Sequence, residues 1–208
     1  MPTRVKICGI TRLEDAQLAV ELGASALGFN FFRPSPRYLE PEAARAIIGR
    51  LPLFETAVGV FADEVDGENV DRVARQAGVA VIQLHGPRFP GPCAVLENWP
   101  LIRAVAVKGD FRPADLARLK ANAFLLDAFD AAVPGGTGKT FDWSLAREAK
   151  PYGTIILAGG LTPENVGEAI RAVRPFAVDV ASGVESAPGR KDPARLRAFF
   201  AAVEESIE

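Results

Sequence analysis

The stretch Thr154 to Glu185, TIILAGGLTPENVGEAIRAVRPFAVDVASGVE, decides the fold. It opens on a short apolar strand, Thr154–Leu157, and breaks at Gly159-Gly160. It then places apolar residues at Val166, Ala169, Ile170 and Val173, one face of a helix at i, i+3, i+4 and i+7. A second β-branched run, Ala177–Val180, follows before the chain breaks again at Ser182-Gly183. Strand, helix, strand in about 30 residues is a βαβ unit, which builds a parallel sheet.

The same alternation extends outward to both ends of the chain. Further strand candidates are Arg4–Cys8, Ala26–Phe31, Thr56–Phe61, Ala80–Leu84, Leu101–Val107 and Phe124–Asp127, which makes eight in all. Helical stripes recur at Ala44/Ile47/Ile48/Leu51, Val70/Val73/Ala74/Ala77 and Leu196/Phe199/Phe200/Val203. Boundary signals accompany them. Thr11 with Glu14 reads as a capping box, Thr162-Pro163 and Asp192-Pro193 as an N-cap before an N1 proline, and Gly23 and Gly78 as left-handed helix ends. The helix after strand four is reduced to a short stretch around Ala94–Glu97 by Pro87, Pro90 and Pro92. Eight βα units in 208 residues, with no low-complexity linker, predict a single-domain α/β protein, a (β/α)₈ TIM barrel over residues 1–208. An open Rossmann sheet is the alternative, but strand one leads into Cys8-Gly9-Ile10-Thr11 and not into G-x-G-x-x-G.

Composition narrows the function classes. With 24 basic and 26 acidic residues the net charge is −2, which offers no field for nucleic acid or an anionic membrane, so an anion site has to be local. The first residues carry no apolar leader and no run approaches a membrane span, so the expected location is the cytoplasm. Two cysteines, Cys8 and Cys93, and one histidine, His85, predict neither a disulfide framework nor a metal centre. A homodimer stays open as an assembly, since no helix face marks a self-complementary patch.

In a barrel, chemistry sits at the C-terminal ends of the strands. Those positions are Cys8, Asn30, Asp63, His85, Lys108, Asp127, Gly159-Gly160 and Ser182-Gly183. Cys8 precedes a helix whose N-terminal field lowers a thiol pKa, which makes it a candidate base or nucleophile; a lone buried cysteine also serves as a small hydrophobe. Asp127 follows Phe124-Leu125-Leu126, where burial can raise a carboxyl into an acid; alone it reads equally as a loop or cap residue. Gly159, Gly160, Ser182 and Gly183 lie in the loops after strands seven and eight, the usual barrel phosphate site, and predict a small phosphorylated substrate. Gly135-Gly136-Thr137-Gly138-Lys139-Thr140 fails as a Walker A loop because position 133 is Val133, and it reads better as a lid or a plain flexible loop. Arg37, in Ser35-Pro36-Arg37-Tyr38, suits bidentate capture of a carboxylate, although a lone loop arginine is more often solvated.

Taken together, Lys6-Ile7-Cys8-Gly9-Ile10-Thr11, Ser35-Pro36-Arg37-Tyr38, Val58-Gly59-Val60-Phe61, Gln83-Leu84-His85-Gly86, Leu125-Leu126-Asp127-Ala128, Gly135-Gly136-Thr137-Gly138 with Phe141-Asp142-Trp143, Leu161-Thr162-Pro163-Glu164-Asn165-Val166 and Val178-Asp179-Val180 with Ser182-Gly183-Val184-Glu185 closely resemble the phosphoribosylanthranilate isomerase family, from about residue 4 to residue 200. The resemblance implies an Amadori rearrangement in tryptophan biosynthesis that needs no cofactor. It makes Asp127 the general acid, Cys8 the general base, Arg37 the anthranilate-carboxylate ligand and Gly159, Gly160, Ser182 and Gly183 the phosphate ligands. Ala181 stands where the family commonly has serine, which puts a hydroxyl contact there in doubt. Other phosphosugar barrels fit less well: an epimerase needs metal ligands, an indole-forming synthase a lysine acid, and a histidine-pathway isomerase a pair of aspartates. A binding protein without chemistry would have no need to keep both Cys8 and Asp127.

Alternation along strand one puts Lys6 on the side of Cys8, inside the barrel, and strand eight, which closes on strand one, carries Asp179. A buried Lys6–Asp179 pair is therefore expected, and with it either a positive setting that favours the Cys8 thiolate or a pair that merely satisfies itself.

Overall fold

The computed structural model describes residues 2–64, 66–86, 88, 94–128 and 142–206. Eight parallel strands close into a barrel in chain order: β1 (Arg4–Cys8), β2 (Ala26–Asn30), β3 (Thr56–Ala62), β4 (Val81–His85), β5 (Leu101–Val107), β6 (Ala123–Ala128), β7 (Ile155–Leu157) and β8 (Ala177–Val180). Closure is made by β1 on β8, with Lys6 opposite Asp179 and Ile7 opposite Val180. Helices α1 (Leu13–Glu21), α2 (Pro41–Ile48), α3 (Gly67–Ala77), α4 (Trp143–Ala149), α5 (Val166–Val173) and α6 (Pro193–Glu205) follow strands one, two, three, six, seven and eight. A small antiparallel hairpin, β9 (Glu185–Ala187) with β10 (Arg190–Lys191), is inserted between β8 and α6.

Alternation sorts each strand into two faces. Outward residues such as Ile7, Leu27, Ile82, Leu126 and Leu157 join the helix stripes in one large core, where Val166, Ala169, Ile170, Val173, Leu196, Phe199, Phe200 and Val203 are all buried. Inward residues form a separate cluster of Val58, Ile102, Ala104, Ala123, Leu125, Ile156, Ala158 and Ala177. Many of these are small, which leaves space for longer polar side chains such as Lys6 and Gln83.

Several sequence expectations are corrected. After β5 the chain makes a 3₁₀ turn, Pro113–Arg118, anchored by buried Leu116, in place of an α-helix, while after β4 the described residues hold a single turn, Leu96–Asn98, close to the short stretch expected there. The Thr11/Glu14 capping box does not form: α1 starts after Arg12 without a side-chain cap, because the Thr11 hydroxyl donates to the Gly189 carbonyl in the β9–β10 turn. Likewise α5 begins at Val166, not after Thr162. Asn165 instead folds back, its Oδ1 accepting from Thr162 N at 2.8 Å and its Nδ2 donating to Gly160 O at 2.9 Å, which ties the loop after β7 together. The Asp192 cap forms as expected, accepting from Ala194 N and Arg195 N, and Gly78 ends α3 in the left-handed region at φ 75°.

Candidate active site

Cys8 ends β1 beside Gly28 of β2, its partner in the ladder. A Cβ on Gly28 would stand 2.8 Å from Cys8 Sγ and 3.1 Å from Lys6 Nζ, so glycine is what leaves room for these two groups. Lys6 Nζ lies 2.7 Å from Asp179 Oδ1 with both side chains buried, which is the pairing that strand alternation and barrel closure predict. Burial works against the Lys6 ammonium, but Asp179 and Cys8 together raise its pKa, so it stays charged. The expected thiolate is not favoured. Burial pushes the Cys8 thiol above its usual value, with Asp179 adding to the rise, and this outweighs the pull of Lys6 and Lys191 in the other direction.

Asp127, near the end of β6, shares the barrel mouth with His85 at the end of β4, with His85 Nε2 3.6 Å from Asp127 Oδ2. Burial raises the Asp127 carboxyl, and Asp179 adds to this, against His85 and Lys6, which lower it. A carboxyl raised in this way is a better proton donor near neutral pH than an ordinary aspartate. Of the other strand-end residues, Asn30 organises the β2–α2 loop, with its Oδ1 accepting from Phe32 N and its Nδ2 donating to Ser35 Oγ. Asp63 takes a left-handed φ of 50° and donates its N–H to the His85 carbonyl. Lys108 is exposed.

The loops after β7 and β8 meet. Gly159 and Gly160 are left-handed, at φ 80° and 65°, and any Cβ on Gly183 would collide with the Leu161 carbonyl, so glycine there permits the two loops to touch. They bound a cleft of about 530 Å³ whose lining includes Arg37, Gly160, Thr162, Ser182, Gly183 and Arg195. Gly159 is not part of that lining: it packs behind, where its missing Cβ would meet Ala128 and Asp127 Oδ1. Cys8, Asp127 and His85 stand in the barrel mouth and not in the cleft wall.

Arg37 is not solvated. Its Nε donates to Glu185 Oε1 at 3.0 Å and to Oε2 at 3.2 Å, and its Nη2 donates to Oε2 at 2.6 Å, a bidentate fork with a carboxylate of its own chain. Glu185 is buried, and although burial opposes its charge, Arg37 and Lys191 hold its carboxyl below the usual range. The reading of the sequence missed Glu185 and Lys191 as site residues. Their signal was present as two charged residues flanking the strand-eight loop and the Asp192 cap, in a segment without periodicity. The 135–140 lid, Phe141 and Cys93 lie outside the described residues. Among the described residues no group of three or more His, Cys, Asp and Glu could hold a metal, and no helix is long and apolar enough to cross a membrane.

A family model described as N-(5′-phosphoribosyl)anthranilate (PRA) isomerase matches residues 5–202. The chain belongs to that family. An N-(5′-phosphoribosyl)anthranilate isomerase from Citrifermentans bemidjiense is 51% identical over 199 residues, 96% of each chain. A solved phosphoribosyl anthranilate isomerase in complex with reduced 1-(o-carboxyphenylamino)-1-deoxyribulose 5-phosphate is 41% identical at a TM-score of 0.84, covering 98% of this chain and 99% of that one. Monomers generated from the dimeric enzyme of Thermotoga maritima are 40% identical at a TM-score of 0.82, with the same coverage. Family and barrel thus agree with what the eight sequence motifs imply.

Proposed function

We infer that this isomerase-family chain converts N-(5-phosphoribosyl)anthranilate to 1-(2-carboxyphenylamino)-1-deoxyribulose 5-phosphate in tryptophan biosynthesis, with Asp127 as general acid and Cys8 as general base. The observation that carries the assignment is the pairing of a carboxyl raised by burial with a thiol seated over Lys6, in one barrel mouth and next to a two-loop glycine cleft.

The acid step uses the proton that Asp127 keeps: delivered to the furanose ring oxygen, it lets the C1′–O bond break as the anilino nitrogen lone pair forms the Schiff base. Cys8 then takes the C2′ proton, the C–H electron pair moves to form the enolamine, and tautomerisation gives the ketone. The thiolate required is the minority form of a thiol raised by burial, so turnover draws on a small reactive fraction in which Cys8 is ionised while Asp127 is protonated. The phosphate is held by backbone N–H groups at Gly160, Ser182 and Gly183, with Gly159 shaping the loop. Ala181 does not add a hydroxyl. Arg37 takes the anthranilate carboxylate by exchanging one carboxylate partner, Glu185, for another.

The test is consumption of fluorescent phosphoribosylanthranilate by purified protein without added metal. Cys8→Ala and Asp127→Asn should each lower kcat by about 10²- to 10⁴-fold while the fold is kept. A near-normal kcat in either variant removes that residue from its role. A cytoplasmic location and a homodimer belong to the same proposal. Adjacent Leu53 and Phe54, each 96% exposed, are apolar side chains available to be covered by a second copy, and sedimentation showing monomers at all working concentrations would remove the dimer.

A further inference from the structure

The β1–β8 ladder runs from Arg4 opposite Ala177 to Ile7 opposite Val180. Just past it, the Cys8 and Ala181 carbonyls both accept from one ammonium. Lys191 Nζ donates to Cys8 O at 2.6 Å, to Ala181 O at 3.1 Å and to Glu185 Oε1 at 2.9 Å, which uses the three hydrogens a lysine has. The lysine is itself fixed from behind, since its backbone N–H donates to the buried Asp15 Oδ2 of α1 at 3.0 Å. Its side chain is 1% exposed. Glu185 in turn holds the Arg37 fork and accepts from Gly189 N at 3.3 Å.

A buried ammonium is an expensive way to join two strand ends, because an apolar side chain of similar volume often gives equal or greater stability. Here each acceptor belongs to a different part of the site: the end of β1 that carries the thiol, the loop after β8 and, through Glu185, the guanidinium over the cleft. We propose that Lys191 is a positioning residue for the proton-transfer centre, holding Cys8 by its main-chain carbonyl, supplying positive charge beside its thiol and linking it through Glu185 to Arg37. The proposal rests on the reading of Cys8 as the base.

The groups that act on the Cys8 thiol come from several elements. Lys6 lies below it on β1, Asp179 on β8, Lys191 on β10, and Arg37 on the loop after β2. Arg37, Glu185 and Lys191 together carry one net positive charge, and replacing Lys191 with a neutral residue cancels it.

The test measures the pH dependence of Cys8 alkylation by iodoacetamide, in a Cys93→Ser background so that Cys8 is the single thiol. Lys191→Met removes the cation. Lys191→Gln removes it as well while keeping an amide donor toward the carbonyls and the Glu185 carboxylate, and so guards against a single variant that does not fold. In the folded variants, alkylation at neutral pH should slow by about tenfold and its midpoint should move about one pH unit upward. The pH–rate profile of turnover should move in the same direction. An alkylation profile unchanged in a folded variant overturns the proposal whatever turnover does. Failure of both variants to fold overturns it as well, by assigning Lys191 a purely structural role. Cys8→Ala reports separately on the base itself: if it kept its turnover, the catalytic reading would fail, while alkylation would still decide whether Lys191 governs the thiol.

Discussion

Replacing Lys6 with methionine isolates the ion pair at the centre of the barrel. The 2.7 Å contact to Asp179 is made with side-chain exposures of 3% and 10%, so water cannot take over the role of the ammonium once it is gone. The aspartate is left as a buried carboxylate without its counter-ion, and breaking a pair in this way costs about 3 to 5 kcal/mol. For a chain of 150 to 250 residues each kcal/mol lowers Tm by about 2 to 4 °C, so the Lys6→Met barrel should melt about 6 to 20 °C below the parent. Removing both charges, as in Lys6→Met/Asp179→Val, abolishes the desolvation of two ions together with their attraction. It should recover most of that loss, since apolar replacements of buried pairs are often neutral or stabilising. The assay is urea unfolding of purified protein, read by circular dichroism and tryptophan fluorescence and extrapolated to water. A single-variant loss below about 1 kcal/mol, the range of an exposed pair, would refute the reasoning, and so would a double variant no more stable than the single.

Arg37→Ala should weaken affinity for a carboxylate-bearing product analogue by about 1.5 to 3 kcal/mol, roughly ten- to hundredfold, while affecting kcat less; unchanged affinity by titration calorimetry would place the carboxylate ligand elsewhere. In the proposed mechanism turnover needs Cys8 ionised and Asp127 protonated, and because the thiol titrates above the carboxyl this fraction should climb with pH up to the raised Asp127 pKa, level off, and fall once pH passes the raised Cys8 pKa. The resulting bell belongs to the coupled pair, and a rate that keeps climbing after Cys8 has fully ionised would contradict it. Asp127→Asn should also stabilise the protein near neutral pH. A carboxyl raised in the folded state contributes stability that is fully present below its unfolded pKa and is lost as pH climbs through its folded pKa, a loss the amide avoids. Thermal melts of the two proteins should therefore separate as pH rises from acid to neutral, and parallel melts across that range would contradict the shift.

Those parts of the fold that depend on local chemistry were legible. Strands β1, β5 and β8 end where their β-branched runs end, and the four apolar stripes read from the sequence pack on the barrel as helix faces, except that Leu51 lies past the end of α2. Other strands differ from the sequence reading by a residue or two because a strand end is set by the neighbour's ladder. His85, for example, extends β4 because Ala62 of β3 pairs with it. The helix starts failed for a related reason. Thr11 and Thr162 both have the chemistry of a cap, yet the Thr11 hydroxyl is drawn to the Gly189 carbonyl, and Thr162 is tied by its backbone N–H to Asn165, whose side chain also donates to Gly160, so that α5 starts only at Val166. Nothing in the local pattern distinguishes a hydroxyl that caps its own helix from one that bonds to a turn 178 residues away.

The site divides along the same line. The placement of Cys8, His85 and Asp127 at the barrel mouth could be read because barrel topology says where strand ends go, and the Lys6–Asp179 contact because alternation and closure together place the two residues opposite each other. Glu185 and Lys191 could not, because they sit on strands of three and two residues whose pairing shifts register, and their contacts to Arg37 and Cys8 cross 148 and 183 residues. Of the two readings left open for the Lys6–Asp179 pair, the one that favours the Cys8 thiolate does not fit the raised thiol, for a different physical reason. Counting the cations around a thiol predicts a thiolate, but the same burial that brings Lys6 and Lys191 close also strips the water that an anion needs. Desolvation and attraction therefore grow together in this barrel. It follows that the cations limit how far the thiol rises without reversing the rise, which makes each of them a control on the reactive fraction of Cys8 in the base role proposed for it.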